Sequence, residues 1–124
     1  MLYCLDTNCC ILLIARTSTQ LIDRVEQQAE GDIVLSAIVA AELVRGLTSA
    51  DANGANAIDA LLRVFPVIPF DEAAARAFPE VPFRRAKFDR LIAAHALALN
   101  LTLVTANLRD FADVPGLATE DWTR

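Results

Sequence analysis

A chain of 124 residues that is 55% hydrophobic, with 16 acidic against 11 basic side chains, has the length of one domain. It buries roughly two-thirds of its unfolded surface and needs neither disulfide nor structural metal to fold. The apolar fraction excludes disorder, and five prolines with four glycines exclude a collagen-like or low-complexity chain. The longest apolar stretch, Ile33–Val44, is interrupted by Ser36 and Glu42 and falls short of the ~18 residues of a membrane helix.

Taken in chain order, Leu2-Tyr3-Cys4-Leu5 reads as a short buried strand ending at Asp6. Asp6-Thr7-Asn8 offers capping oxygens for a helix over Cys9–Ala15, and Leu21, Ile22 and Val25 keep helical spacing to about Ala29. Gly31-Asp32 makes a turn into a second strand, Ile33–Leu35. Ser36 is placed to cap a helix through Arg45, with Gly46 at its C-terminal stop. Thr48–Ala57, rich in Ser, Asp, Asn and Gly, reads as a surface loop or frayed helix start, before a helix that carries Ile58, Leu61 and Leu62. Two prolines make Val64–Phe70 extended, and Asp71-Glu72 opens another helix, broken by Pro79 and Pro82. Lys87–Leu99 is apolar almost throughout and is read as a buried helix, ended by Asn100 in a left-handed conformation. A strand over Leu101–Val104, a short helix over Asn107–Ala112 and a last strand over Ala118–Trp122 complete the chain. Alternating strands and helices give an α/β sandwich around a mostly parallel sheet, whose ligands bind beyond the carboxyl ends of the strands. Asp6, Ser36 and Thr105–Asn107 mark that rim.

Asp6 lies ahead of any basic residue and within the first apolar stretch, so a secretory leader is not expected and a cytoplasmic protein is. The three cysteines, Cys4, Cys9 and Cys10, lie within the first ten residues, and His95 is the sole histidine. That leaves no disulfide framework and no second ligand pair for zinc, so the thiols read as small buried hydrophobes and His95 as a satisfied helix residue.

Three acids interrupt stretches that otherwise read as core: Asp6, Glu42 and Asp89. A lone buried carboxylate costs several kcal/mol unless it is paired or bound to a cation. Each has a plain alternative: Asp6 as a helix cap, Glu42 paired with Arg45, and Asp89 as a cap or paired with Arg85. Converging on one rim, they would suit a hard cation, Mg2+ or Mn2+, and metal-assisted phosphoryl chemistry. A net charge of −5 counts against a nucleic-acid ligand, yet ten of the eleven bases are arginine, suited to phosphate. Arg84, Arg85, Lys87 and Arg90 surround Asp89.

Four motifs stand in order: Leu5-Asp6-Thr7-Asn8, Ser36–Leu43, Phe88–Ala96 and Leu103–Phe111. Together with Val114-Pro115-Gly116-Leu117 and Glu120-Asp121-Trp122, they resemble the PIN-domain ribonucleases and, among them, the VapC toxins of type II toxin–antitoxin modules. The resemblance implies a single PIN-like domain over residues 1–124, a three-layer α/β sandwich with a short, mostly parallel central sheet. It implies a Mg2+- or Mn2+-dependent endoribonuclease with Asp6, Glu42, Asp89 and Asn107 as its catalytic positions. Asp6 and Asp89 would be the principal metal ligands, and Glu42 would hold the metal or orient water. Asn107 stands where the family often has Asp, with Asp110 one turn later as a substitute charge. Thr7 and Ser36 would bridge carboxylates and water. Arg84, Arg85, Lys87 and Arg90 would grip RNA phosphates, with Arg45 and Arg109 on the rim. The implied partners are RNA, a second copy and a VapB-like antitoxin whose arginine enters the acidic pocket; the helices after Asp6 and after Ser36 are the candidate surfaces. Two other readings stay open. One is a degenerate PIN-like binding module without catalysis, since Asn107 is neutral. The other is an aspartyl-nucleophile phosphatase, although Asn8 stands where its second acid belongs.

Overall fold

The computed structural model describes residues 1–47, 52–85 and 88–124. Five strands form one sheet: β1 (Tyr3–Leu5), β2 (Ile33–Ser36), β3 (Val67–Ile68), β4 (Thr102–Val104) and β5 (Thr119–Glu120). Their order is β3-β2-β1-β4-β5, with β1 in the centre. Every pairing is parallel: Tyr3 registers with Ile33 on one side and with Thr102 on the other. Parallel neighbours demand crossovers, and helices supply them. These are α1 (Thr7–Ala15), α2 (Thr19–Glu26), α3 (Ala37–Leu47), α4 (Ala52–Val64), α5 (Glu72–Ala77) and α6 (Phe88–Leu99). Short 3-10 turns follow at Phe78–Glu80 and Leu108–Phe111. The core joins Leu5, Leu35 and Leu103 of the sheet to Leu21, Ile92 and Trp122, all fully buried. No described helix is long and apolar enough to cross a membrane.

Two local readings need correction. The helical spacing from Cys9 to Ala29 hides a break: Arg16 takes a left-handed conformation (φ 55°), and Ser18 caps α2 by accepting from the Leu21 amide at 3.2 Å. Gly46 does not stop α3, which runs on to Leu47, and its φ lies outside the left-handed region. The stretch 48–57 is helical from Ala52 onward, and its first four residues lie outside the described ones, as does Lys87. Elsewhere local chemistry acts as expected. Asp71 caps α5 through the Ala74 amide at 3.0 Å, and Asn100 turns α6 into β4 at φ 55°.

Candidate active site

The parallel sheet delivers its strand ends to one edge. Asp6 follows β1, and its amide donates to the Val104 carbonyl of β4 at 3.0 Å. Its carboxylate accepts from the Cys9 amide at 2.8 Å, so it does cap α1. At 5% exposure, one backbone bond and the weak Cys9 thiol are thin compensation for a buried charge, and among the described residues no basic side chain lies within ion-pair distance of it. The carboxylate is felt by the neighbouring thiols. Burial first, then the Asp6 charge, pushes the Cys4 thiol up to about 12, and Cys9 and Cys10 are raised still further for the same reasons. All three cysteines are buried in the core.

Thr7, the first residue of α1, donates its hydroxyl to Glu42 Oε1 at 2.7 Å. Glu42 is thereby tied to α1. On the other flank, α6 runs back to the start of β4, so its first turn, with Asp89, stands at the same carboxyl edge. Thr105 Oγ1 accepts from the Asn107 amide at 3.0 Å, and Asn107 Nδ2 donates to Asp110 Oδ2 at 2.6 Å. Asp110 and Asp89 then line a cavity of about 110 Å³ with Arg84 and Arg90. Asn107 acts here as the group that aims Asp110.

Of the three interrupting acids only Asp6 is buried; Glu42 and Asp89 are half-buried. Among the described residues no three His, Cys, Asp or Glu side chains stand close enough to hold a metal ion as they are. The acids share an edge without forming a closed cage.

Two expected roles are overturned. Arg90 is 2% exposed and is no phosphate grip. Its Nη1 donates to both oxygens of Asp113, each at 3.2 Å, and to the Pro82 carbonyl at 3.4 Å, while Nη2 donates to the Asp110 carbonyl. Its guanidinium also lies 6.0 Å from the Phe111 ring centre. Arg84 shares Asp113 at 3.1 Å. Asp113, which sequence reasoning passed over, is the anchor. Its desolvation works to raise its pKa, but hydrogen bonds and charge from Arg90, with Arg84, hold the carboxyl below the ordinary range. A helical wheel carried the missed signal, since Arg90 shares the face of Ala93 and Ala94, both buried.

Ser36 is the second correction. Its hydroxyl accepts from the Ile38 amide at 3.1 Å, capping α3, and meets His95 Nδ1 at 2.7 Å. It therefore ties α3 to α6 and is not spent on the carboxylates. His95 is 3% exposed, its ring edge-on to Phe70 at 5.3 Å, and Nε2 has no hydrogen-bond partner. Burial lowers its pKa, against the charge of Asp71 and the Pro69 carbonyl. Arg85 and Arg109, like Arg45, remain at the surface.

The PIN domain family model matches residues 3–117. The chain is 31% identical to "Ribonuclease VapC2" of Rickettsia felis over the whole of both chains. It is also 31% identical to the "tRNA(fMet)-specific endonuclease VapC" of Shigella flexneri, over 98% of each. The solved structure of VapBC2 from Rickettsia felis, bound to a DNA fragment from its promoter, superposes with a TM-score of 0.88 at 30% identity, covering 98% of this chain and 99% of that one. On this match of sequence and of fold over nearly the whole chain, the chain belongs to the PIN domain family and within it resembles the VapC ribonucleases.

Proposed function

We propose that the chain is a divalent-metal-dependent endoribonuclease, the toxin of a type II toxin–antitoxin pair. The observation that carries this reading is Asp6: a buried carboxylate at the carboxyl edge of a parallel sheet, with no basic partner among the described residues. Such a group wants a cation, and its acidic neighbours are all oxygen donors. The donor chemistry fits Mg2+ or Mn2+, held by Asp6 and Asp89 with help from Glu42; the ion supplies Lewis acidity and a lowered water pKa when bound. Since the acids form no closed cage as they stand, binding must draw them together.

The chain's own residues supply the rest. Thr7 fixes Glu42 by one oxygen, which leaves Oε2 to orient the attacking water and take its proton. Asn107 aims Asp110 into the neighbouring cavity. Arg84, Arg85 and Arg109 are the bases left to meet flanking phosphates. Catalysis by such a set is positioning and electrostatics, with no covalent intermediate.

For the partner, a groove of about 500 Å³ between α1, α2 and α4 is lined by Leu13, Ile14, Ile22, Val25, Leu61 and Val64. It would seat an apolar antitoxin segment. The exposed Val44 on α3 marks a face for a second copy. The deciding experiment compares RNA cleavage by wild type and Asp6→Asn in Mg2+ and in Mn2+. The variant should lose at least 100-fold in rate, a loss on the scale of one essential charged group, while its melting temperature stays at or above that of the wild type. Comparable cleavage by both would overturn the reading.

A further inference from the structure

Six phenylalanines are spread along the chain, and four of them are packed: Phe65 and Phe111 are buried, Phe70 and Phe78 half-buried. Tyr3 and Trp122 pack edge to face on each other at 4.8 Å. All strongly exposed aromatic surface among the described residues is therefore in two rings, Phe83 at 82% and Phe88 at 55%. Both stand within one residue of the cavity lined by Arg84, Asp89, Arg90 and Asp110. Isolated exposed apolar groups are ordinary, but two bare rings, each next in the chain to a residue that lines a cavity of two arginines and two aspartates, need a use.

Phe83 is held, although its ring is bare. The residue before it, Pro82, accepts from Arg90 Nη1 at 3.4 Å, and the residue after it, Arg84, pairs with Asp113 at 3.1 Å. Arg90 and Asp113 are themselves joined, so the Pro82 carbonyl before Phe83 and the Arg84 side chain after it both lead to the Arg90–Asp113 ion pair. Phe88 opens α6 immediately before Asp89. Exposed Arg85 lies between the rings in sequence. Flat rings interleaved with arginine next to a phosphodiester-cleaving edge are the chemistry of single-stranded nucleic-acid binding: guanidinium for the backbone, ring face for the base. A protein partner would be met by a contiguous apolar patch, whereas the residues that border these rings in the chain include Arg84, Arg85 and Asp89.

We propose that Phe83 and Phe88 are base-stacking residues that select RNA whose bases at the cleavage site are unpaired. The proposal rests on the ribonuclease reading above. In an A-form duplex the base faces are buried in the stack and unavailable to either ring; in a loop they are free. Substrate choice is then made by the rings, and rate by the acids.

The test uses the full chain and an RNA stem-loop carrying 2-aminopurine in its loop, beside a fully paired RNA of the same composition. Wild type should cleave the stem-loop and spare the duplex. Phe83→Ala should raise KM for the stem-loop roughly 5- to 100-fold, the loss of one base stack, with kcat within about twofold. Phe88→Ala should act in the same direction. In the Asp6→Asn background, where RNA stays intact, loop fluorescence should be quenched on binding and the quench lost in Phe83→Ala. Phe83→Trp should restore both readouts, and Phe83→Leu, apolar but not flat, should restore neither. Unchanged KM in both alanine variants of an active enzyme, or Leu serving as well as Trp, overturns the stacking role and leaves the ribonuclease reading standing. Wild type that cleaves no RNA in any divalent cation overturns both.

Discussion

Asp6 carries two duties with one carboxylate, capping α1 through Cys9 and presenting negative charge at the sheet edge. Its influence on the three thiols leads to a direct expectation. Native protein should resist iodoacetamide at pH 8, because burial and the Asp6 charge keep Cys4, Cys9 and Cys10 protonated, and mass spectrometry should find all three alkylated only after denaturation. His95 gives a second expectation. Its folded pKa lies below the ordinary 6.5, so the unfolded chain binds the extra proton first. The stabilisation of the neutral ring is full above pH 6.5 and is lost as pH falls below it toward the folded value. Urea titrations at pH 7 and pH 5.5 should show a drop in wild type that shrinks in His95→Asn. The groups facing His95 across its contacts are Ser36, Phe70, the Pro69 carbonyl and Asp71, and the Asp71 charge opposes the drop without abolishing it.

At the scale of elements, turn and cap chemistry was legible because it is local. Asp6, Asp71 and Asn100 do what their side chains and neighbours dictate. What local chemistry could not show was how partners distant in sequence would settle a residue's fate. Arg90 reads as a surface base until Asp113, 23 residues on, neutralises it inside the fold. Ser36 reads as a rim hydroxyl until His95, 59 residues away, claims it. Gly46 misled differently: a glycine beside arginine after an apolar run has the signature of a helix stop, yet α3 continues through it. Because its φ is not left-handed and no atom lies within 4 Å of an added Cβ, Gly46→Ala should stabilise the chain by about 0.5–1 kcal/mol, read as a higher urea midpoint with an unchanged slope. Gly31→Ala, at φ 87°, should do the reverse.

At the scale of the molecule, the 16 acids against 11 bases had counted against a nucleic-acid ligand. The structure redistributes that charge: Arg90 is spent on Asp113 inside the fold, Arg84 shares that carboxylate while half exposed, and Asp6 at the edge is left without a described basic partner. An ion that binds only the folded edge must raise apparent stability. Mn2+ at ten times its Kd should add about 1.4 kcal/mol, a rise of several degrees in melting temperature, and Asp6→Asn should abolish the rise. The same strand order has a consequence for synthesis. The central strand β1 is made first, but its partner β4 begins at Thr102, and Asn107 and Asp110 follow β4. A nascent chain carries Asp6 from the outset with nothing to set it against. Its edge comes together only once β4, Asn107 and Asp110 have followed it out of the ribosome. On the proposed reading, this order keeps the acidic edge incomplete, and so inactive, until that stretch has been made.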